Sequence, residues 1–150
     1  MNLANAPTAK FGLLIRKPAA VVFEAFVDPD VLTKFWITES SGSLEERAVV
    51  RWHFGEQISC EVRVLTFESN QRMHFEWAAD GQPATTVEWI FDARTEDTTF
   101  VSVECSGFSG DDQAIMAAAL DATGGFALVL AAAKAYIEHG VRLNIIQDGA

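Results

Sequence analysis

Residues 71–92 read QRMHFEWAADGQPATTVEWIFD and carry the clearest secondary-structure signal in the chain. On both sides of Asp80-Gly81, large apolar side chains alternate with more polar ones: Met73, Phe75 and Trp77 before it, Val87, Trp89 and Phe91 after it. Alternation with a period of two around a turn-forming pair is typical of two antiparallel strands with one buried face. The segment therefore predicts a hairpin with an aromatic inner face and a charged outer face.

The same period extends on both sides of this hairpin. Turns at residues 55–57, 69–70 and 96–97 separate three more alternating runs, whose apolar members are Val50, Trp52, Phe54, Cys60, Val62, Val64, Val101, Val103 and Cys105. Five consecutive strands joined by short turns form an antiparallel meander. The outward positions carry acidic and basic residues, so we expect cross-strand ion pairs there, including pairs made by Arg51 and Arg63.

A long amphipathic helix is predicted over residues 111–139. Its apolar stripe, at 100° per residue, consists of Ile115, Ala119, Ala122, Phe126, Leu130, Ala133 and Ile137. Asp111 suits the start of this helix and Gly140 its end. The Gly124-Gly125 pair in the middle costs about 1 kcal/mol per glycine relative to alanine. We interpret the pair as a kink or a close helix–sheet contact; room for a ligand beside the backbone is the alternative, and the two are compatible.

The chain before the meander predicts one strand and two short helices. Residues 10–16 alternate as a strand does, and residues 19–27 have helical spacing. Asp28-Pro29 is a helix-start signal, because aspartate is a good N-cap and proline suits the first helical position. A second short helix is therefore predicted from there to Trp36.

Composition indicates a soluble globular protein. The 150 residues are 49% hydrophobic and 21% charged, which suits one domain. We expect that domain to span residues 1–150, with residues 1–9 as a flexible N-terminal segment. Eleven basic and 21 acidic residues give a net charge of −10 at pH 7. This balance disfavours binding to nucleic acids and to anionic membranes, since both reward clustered Lys and Arg.

The sequence predicts neither secretion nor a membrane span. No basic region followed by an apolar stretch opens the chain, as a secretory signal would. The longest apolar run, residues 124–133, is about half of the ~20 residues that a membrane span needs. Cys60 and Cys105 fall on strands that we do not expect to be adjacent, whereas a disulfide needs Cα atoms within about 7 Å. We therefore expect two reduced, buried thiols in a cytoplasmic protein.

Three segments resemble a known family. Residues 20–29, AVVFEAFVDP, look like its opening helix and Asp-Pro turn, Phe35-Trp36 like the aromatic pair that closes its second helix, and residues 125–140 like its terminal helix. With the predicted order β-α-α-β-β-β-β-β-α, the chain resembles the bacterial single-domain homologues of the activator of heat-shock ATPase, in the START-like (SRPBCC) superfamily. The resemblance implies the helix-grip fold of the birch-pollen allergen. In this α+β fold a curved antiparallel sheet wraps around the long C-terminal helix and leaves a cavity between them.

We expect side chains that face this cavity to bind a ligand: Trp36, Trp52, Phe54, Phe75, Trp77, Trp89, Phe91, Val103, Cys105, Phe126 and Leu130. Bulky rings seldom fill a concave space without gaps, and apolar pockets of about 300–1,000 Å³ are where small molecules bind. The alternative is that the rings interdigitate as an ordinary core.

Catalytic and metal-binding motifs are missing from the sequence. It contains no Gly-x-Ser-x-Gly elbow and no Gly-rich phosphate loop. His53, His74 and His139 are expected at the surface, without the companion ligands of a zinc site. Cys105 is interpreted as a packed thiol, because no base is predicted beside it. We therefore predict no catalytic residue, no metal ligand and no cofactor.

Three functions are open at this point. The leading one is a binding domain that holds a small hydrophobic or aromatic molecule between sheet and helix. The second is a cyclase- or hydrolase-like enzyme in the same cavity, which needs an inward-facing acid or base. The third, implied by the family resemblance, is a regulator of a chaperone ATPase in the stress response. A homodimer is a further assembly that the sequence leaves open.

Overall fold

The computed structural model of the protein describes residues 6–149. Within that range the strands are β1 (Ala9–Ile15), β2 (Glu39–Ser40), β3 (Val49–Phe54), β4 (Ile58–Glu68), β5 (Arg72–Ala79), β6 (Thr85–Thr95) and β7 (Thr98–Ser106). The helices are α1 (Ala19–Ala25), α2 (Pro29–Phe35), α3 (Asp112–His139) and α4 (Ile145–Asp148).

All seven strands form one antiparallel sheet in the order β1-β7-β6-β5-β4-β3-β2. Strands β3 to β7 are the predicted meander, each paired with the next in sequence. Strand β1 pairs with β7 along its whole length, from Ala9 opposite Cys105 to Ile15 opposite Thr99. Helix α3 packs against β1 and β7. The predicted α+β architecture is therefore confirmed.

The structure adds β2 and α4 to the predicted elements. Strand β2 is two residues long and pairs Glu39 with His53. Such short elements have no periodicity that a sequence pattern can show. Strand β1 begins at Ala9, one residue earlier than predicted, and Ala9 is fully buried. Of the segment predicted to be flexible, residues 1–5 lie outside the described part of the chain, and residues 6–8 have no regular secondary structure.

Helix α1 ends two residues before the predicted end of residues 19–27. Asp28 has an extended backbone, with φ −84° and ψ 119°, because a proline disfavours the α conformation in the residue before it. The Asp28 carboxylate accepts a hydrogen bond from the backbone N–H of Asp30 at 2.9 Å and is the N-cap of α2, as predicted. The break between α1 and α2 leaves Trp36, just after α2, in contact with rings of the sheet.

The aromatic inner face of the sheet is confirmed. Trp52, Phe75 and Trp89 are fully buried, whereas Glu61 on the other face is exposed. The rings meet mostly edge to face; those of Trp52 and Phe75, for example, have centroids 5.7 Å apart and planes at 74°. Such pairs are worth about 0.5–1.5 kcal/mol beyond the area that they bury. Ring-to-ring packing therefore holds the centre of the fold together.

Ion pairs lie on the outer face of the sheet, as expected from the alternation. Arg63 contacts Glu61 at 3.2 Å and Glu76 at 3.8 Å. Arg51 contacts Asp80, in the turn after β5, at 3.1 Å. Hydrogen bonds from the Arg51 guanidinium and from a serine hydroxyl hold the pKa of Asp80 below its ordinary value.

Helix α3 is one uninterrupted helix with the predicted ends. The Asp111 carboxylate accepts from the backbone N–H of Ala114 at 2.8 Å, and Gly140 ends the helix with a φ of 69°. A Cβ added at Gly124 or at Gly125 would meet no atom of residues 6–149 within 4 Å. The interpretation of this pair as a close helix–sheet contact is therefore wrong, because open space lies beside the backbone there.

By length and composition alone, α3 qualifies as a candidate membrane span. Its most apolar 18-residue window has a mean hydropathy of 1.8. The sequence-based prediction of no membrane span rested on the unbroken apolar run at residues 124–133. An 18-residue window is also apolar, because it includes the alanines around that run. In the structure α3 is the core helix of the fold, with Phe126, Leu130 and Ala133 buried in the core cluster.

Candidate functional site

A recess opens where the end of α2, strand β5 and the middle of α3 meet. Its volume is about 320 Å³, and its wall consists of Trp36, Trp77, Asp121, Ala122, Gly125, Phe126, Val129 and Ile146. We call it the aromatic recess. Its volume lies at the small end of the range of about 300–1,000 Å³ that is usual for ligand pockets. Most of its wall is apolar. The exception is Asp121, which is exposed to solvent.

Three rings shape the aromatic recess. Those of Trp77 and Phe126 are stacked, with centroids 6.0 Å apart and planes at 24°. Trp36 stands edge-on to both, with centroid distances of 5.8 Å to Trp77 and 6.3 Å to Phe126. The Trp77 indole Nε1 donates a hydrogen bond to Thr85 Oγ1 at 2.9 Å, and this bond fixes the orientation of the Trp77 ring.

A different local feature of the backbone positions each ring. Trp36 follows α2 directly, and its backbone N–H donates to the Leu32 carbonyl at 2.9 Å. Trp77 points inward because it has the inward parity of β5. Phe126 lies on the buried stripe of α3, beside Gly125, whose lack of a side chain leaves the recess open.

Helix α4 contributes Ile146 to the wall of the recess. The chain leaves α3 at Gly140, passes through a left-handed residue, Asn144, with a φ of 55°, and returns so that Gly149 lies beside Leu128. Sequence reasoning missed Ile146 because a helix of four residues shows no amphipathic pattern. It also omitted four wall residues from α3: Asp121, Ala122, Gly125 and Val129.

The eleven predicted site residues divide into two groups. Trp36, Trp77 and Phe126 line the aromatic recess, and Phe54 lines a depression of about 240 Å³ that also includes Trp77. The other seven are at most 3% exposed and line neither space: Trp52, Phe75, Trp89, Phe91, Val103, Cys105 and Leu130. These seven side chains pack as an ordinary core, which was the alternative to a ligand-lined cavity. Ligand contact by any of the eleven residues stays a prediction.

Two indole N–H groups in the core find no hydrogen-bond acceptor among the residues that the structure describes. Among residues 6–149, the Nε1 atoms of Trp52 and Trp89 are buried and unpaired, whereas that of Trp77 is bonded to Thr85. A buried donor without a partner costs about 1–3 kcal/mol, and buried polar groups are rarely left in this state. The Trp36 ring contacts both indoles, with centroids 5.0 Å from Trp52 and 5.7 Å from Trp89. Both indoles therefore lie one ring behind the wall of the aromatic recess.

Neither cysteine fits the role of a nucleophile. Burial raises the pKa of the Cys60 thiol to about 11. Burial also raises the pKa of Cys105, and hydrogen bonds with Thr85 and Trp77 offset only part of this effect. Both thiols are therefore protonated at neutral pH. They lie on β4 and β7, which are three strand spacings of about 4.8 Å apart and too distant for a disulfide.

The histidines do not form a metal site in the described part of the chain. His53 lies opposite Ser59 and His74 opposite Thr66, so the two histidines are about 20 Å apart along β4. No group of three or more His, Cys, Asp or Glu side chains within residues 6–149 is placed to hold a metal ion. The absence of a metal and of a cofactor stays a prediction.

Two larger depressions lie elsewhere on the molecule. One, of about 490 Å³, is a groove between α1 and the end of α3 that includes Val21 and Tyr136. The other, of about 420 Å³, lies on the outer face of the sheet and includes Ile90 and Phe100. Neither includes any of the three rings that shape the aromatic recess. We take the aromatic recess as the candidate site because it opens between the sheet and α3.

A sheet that packs around one long C-terminal helix, with a recess between the two, defines the helix-grip class of START-like proteins. The family model described as "Activator of Hsp90 ATPase homolog 1-like protein" matches residues 16–138. The chain belongs to this family, as its resemblance indicated.

Solved structures of bacterial proteins share the fold. Protein SSP2350 from Staphylococcus saprophyticus superposes with a TM-score of 0.76 at 26% identity, over 91% of this chain and 95% of that chain. The Aha1 dimer from Colwellia psychrerythraea gives 0.74 at 18% identity, over 89% and 97%. CalU16 from Micromonospora echinospora gives 0.71 at 19%, over 94% and 82%. No functionally curated protein matches the chain. The predicted helix-grip fold is therefore confirmed.

Proposed function

We propose that this protein binds a small hydrophobic, aromatic molecule in the aromatic recess. The observation that carries the proposal is the meeting of Trp36, Trp77 and Phe126 around open space between sheet and helix. Aromatic walls favour flat, apolar ligands, because such ligands extend the stacked and edge-on contacts already present.

The expected affinity follows from the area that the recess can cover. Burying ~200 Å² of apolar ligand surface at about 25 cal/mol per Å² contributes about 5 kcal/mol. Loss of translational and rotational freedom opposes this gain. Apolar burial alone therefore supports weak binding, and a tightly bound ligand needs directional contacts in addition.

Binding is better supported than catalysis. An enzyme acting in the recess needs an acid, base or nucleophile that faces the substrate. Among the residues that line the aromatic recess, Asp121 is the titratable one, and it is solvent-exposed. The Cys105 thiol is protonated and buried. The cyclase- or hydrolase-like alternative and the chaperone-ATPase alternative have no comparable observation in their favour.

The test is a titration with N-phenylnaphthylamine, a neutral fluorophore that brightens in apolar surroundings. Saturable brightening in the wild-type chain, weakened in Phe126→Ala, is the expected result. The matched control is Phe100→Ala, which removes the same ring from the depression on the outer face of the sheet and is expected to leave the titration unchanged. Loss of binding in Phe100→Ala alone, or brightening that never saturates, would overturn the proposal.

Two further proposals concern location and assembly. We propose a cytoplasmic protein, which is supported by two free, buried cysteines.

We also propose a homodimer, supported by apolar side chains on the outward side of α3, where Leu120 is 67% exposed and Leu128 is 40% exposed. The Colwellia neighbour is described as a dimer. Light scattering on Leu120→Lys, with Leu65→Lys on the sheet as the control, tests this assembly; a wild-type chain that is monomeric at high concentration would contradict it.

A further inference from the structure

We propose that the ligand is a neutral, planar aromatic molecule with a carbonyl oxygen, and that Trp36 moves aside on binding so that this oxygen accepts a hydrogen bond from the indole of Trp52 or Trp89. The inference rests on the proposed function, since it names the ligand class for the same recess.

The first observation is the pair of unpaired donors. Trp52 and Trp89 are both fully buried, and within residues 6–149 neither Nε1 has an acceptor. An unpaired buried donor raises the free energy of the folded protein, and the binding of an acceptor removes that cost. Two such donors behind one recess favour a ligand that brings acceptors. A purely hydrocarbon ligand would leave both unpaired.

The second observation is the position of Trp36. Its ring is both a wall of the aromatic recess and the contact partner of the two indoles, at 5.0 Å from Trp52 and 5.7 Å from Trp89. Trp36 lies just beyond the end of α2, and the next strand begins only at Glu39. The backbone of this connecting segment is anchored by hydrogen bonds from Trp36 to Leu32 and from Thr38 to His53, so a displacement of Trp36 would be a rotation of its side chain. Displacement of this one ring would open the recess onto the indole rings that carry both donors.

The shape and charge of the surroundings narrow the ligand class. The space that Trp36 would leave is flanked by the rings of Trp52, Trp77, Trp89 and Phe126, so a planar ring system replaces the contacts that it breaks. Asp121 on the recess wall and the net charge of −10 disfavour an anion. A ketone or quinone oxygen therefore fits better than the carboxylate of a fatty acid.

The test compares fluorenone with fluorene, two molecules of the same planar skeleton of which only the first has a carbonyl. Each displaces N-phenylnaphthylamine from the full chain, so one readout serves both. We expect fluorenone to bind about tenfold more tightly, the effect of one hydrogen bond to a buried donor. Trp52→Phe or Trp89→Phe keeps a ring and removes the N–H, and at least one of these variants is expected to abolish the preference. The matched control is Trp77→Phe: because Trp77 lines the recess, this variant is expected to weaken both probes by the same factor, but to keep their ratio, since the Trp77 N–H is already bonded to Thr85.

A second measurement uses the wild-type chain and so does not depend on whether a variant folds: the indole N–H resonances are followed by ¹⁵N-resolved NMR. The chain has four tryptophans, and fluorenone is expected to move the Trp52 or Trp89 signal downfield in proportion to saturation, whereas fluorene does not. Saturable binding of both probes with equal affinity and without such a shift would overturn this inference and leave the proposed function intact. Saturable binding of neither probe, and of no fluorophore, would overturn both.

Discussion

The rings of Trp77 and Phe126 are stacked, with planes 24° apart, whereas their other ring contacts are edge-on. This pair joins β5 to α3 beside open space, at Gly125. Stacked rings at the wall of a recess offer a flat apolar surface, which is why we place a planar ligand there.

Phe126→Ala is expected to destabilise the fold less than the same change at a fully enclosed ring. Removal of a buried Phe costs typically 3–5 kcal/mol, and the cost is smaller where neighbouring space already deprives the ring of contacts. We expect about 2–3 kcal/mol for Phe126→Ala and the full range for Phe75→Ala, because Phe75 has no exposed surface. Urea denaturation measures both. Equal losses for the two variants would show that Phe126 is packed like an ordinary core residue.

Ile146→Ala is expected to make ligand exchange faster. Ile146 is the side chain of α4 that lines the recess, so its truncation widens the opening while the rings stay in place. Stopped-flow release of N-phenylnaphthylamine measures the rate, and Leu143→Ala, at an exposed position outside the recess wall, is the control. An unchanged release rate for Ile146→Ala would mean that α4 does not border the path of the ligand.

Much of the fold follows from the sequence because its signals are local and repeated. The alternation around Trp77 and Trp89 repeats every two residues along each strand. The apolar stripe through Phe126 repeats at every turn of the helix. One residue that departs from either pattern therefore does not hide it. The recess itself is harder to predict. Its walls combine residues from α2, β5, α3 and α4, and which inward ring borders open space depends on how neighbouring side chains fill the volume. Trp52 and Trp77 have the same parity, yet only Trp77 reaches the recess.

Glu138→Gln is expected to lower the free energy of unfolding by about 1–3 kcal/mol at neutral pH. The Glu138 carboxylate, 8% exposed, accepts from Lys134 Nζ at 2.6 Å and from the backbone N–H of Arg16 at 2.8 Å. Burial alone would raise the pKa of Glu138, but these hydrogen bonds lower it below its ordinary value.

The sign of the pH dependence follows from this lowered pKa. The carboxylate stabilises the fold above its unfolded pKa of about 4.3, and this contribution is lost as the pH falls through the lower, folded pKa. The difference between wild type and Glu138→Gln is therefore expected to shrink below about pH 4.3. Denaturation at several pH values measures it, with Glu104→Gln on the exposed sheet face as the control. A difference that does not change with pH would contradict this account.

The two thiols are expected to react slowly in the native protein. Burial raises the pKa of both, that of Cys60 to about 11, so thiolate is scarce at neutral pH. A thiol-reactive chromophore is expected to label Cys60 and Cys105 at least about 100-fold faster after denaturation, with no reductant needed. Thiols that become reactive only after reduction would instead indicate a disulfide, and fast native labelling would show that the core opens readily.

The most direct test of the ligand-binding site is ¹H–¹⁵N chemical-shift mapping of the full chain during a titration with fluorenone. If the aromatic recess is the site, the largest saturable shifts fall on the amides of Trp36, Trp77, Ala122 and Gly125. Shifts that are concentrated instead on Val21 and Tyr136, or on Ile90 and Phe100, would place the ligand in another depression and contradict the account.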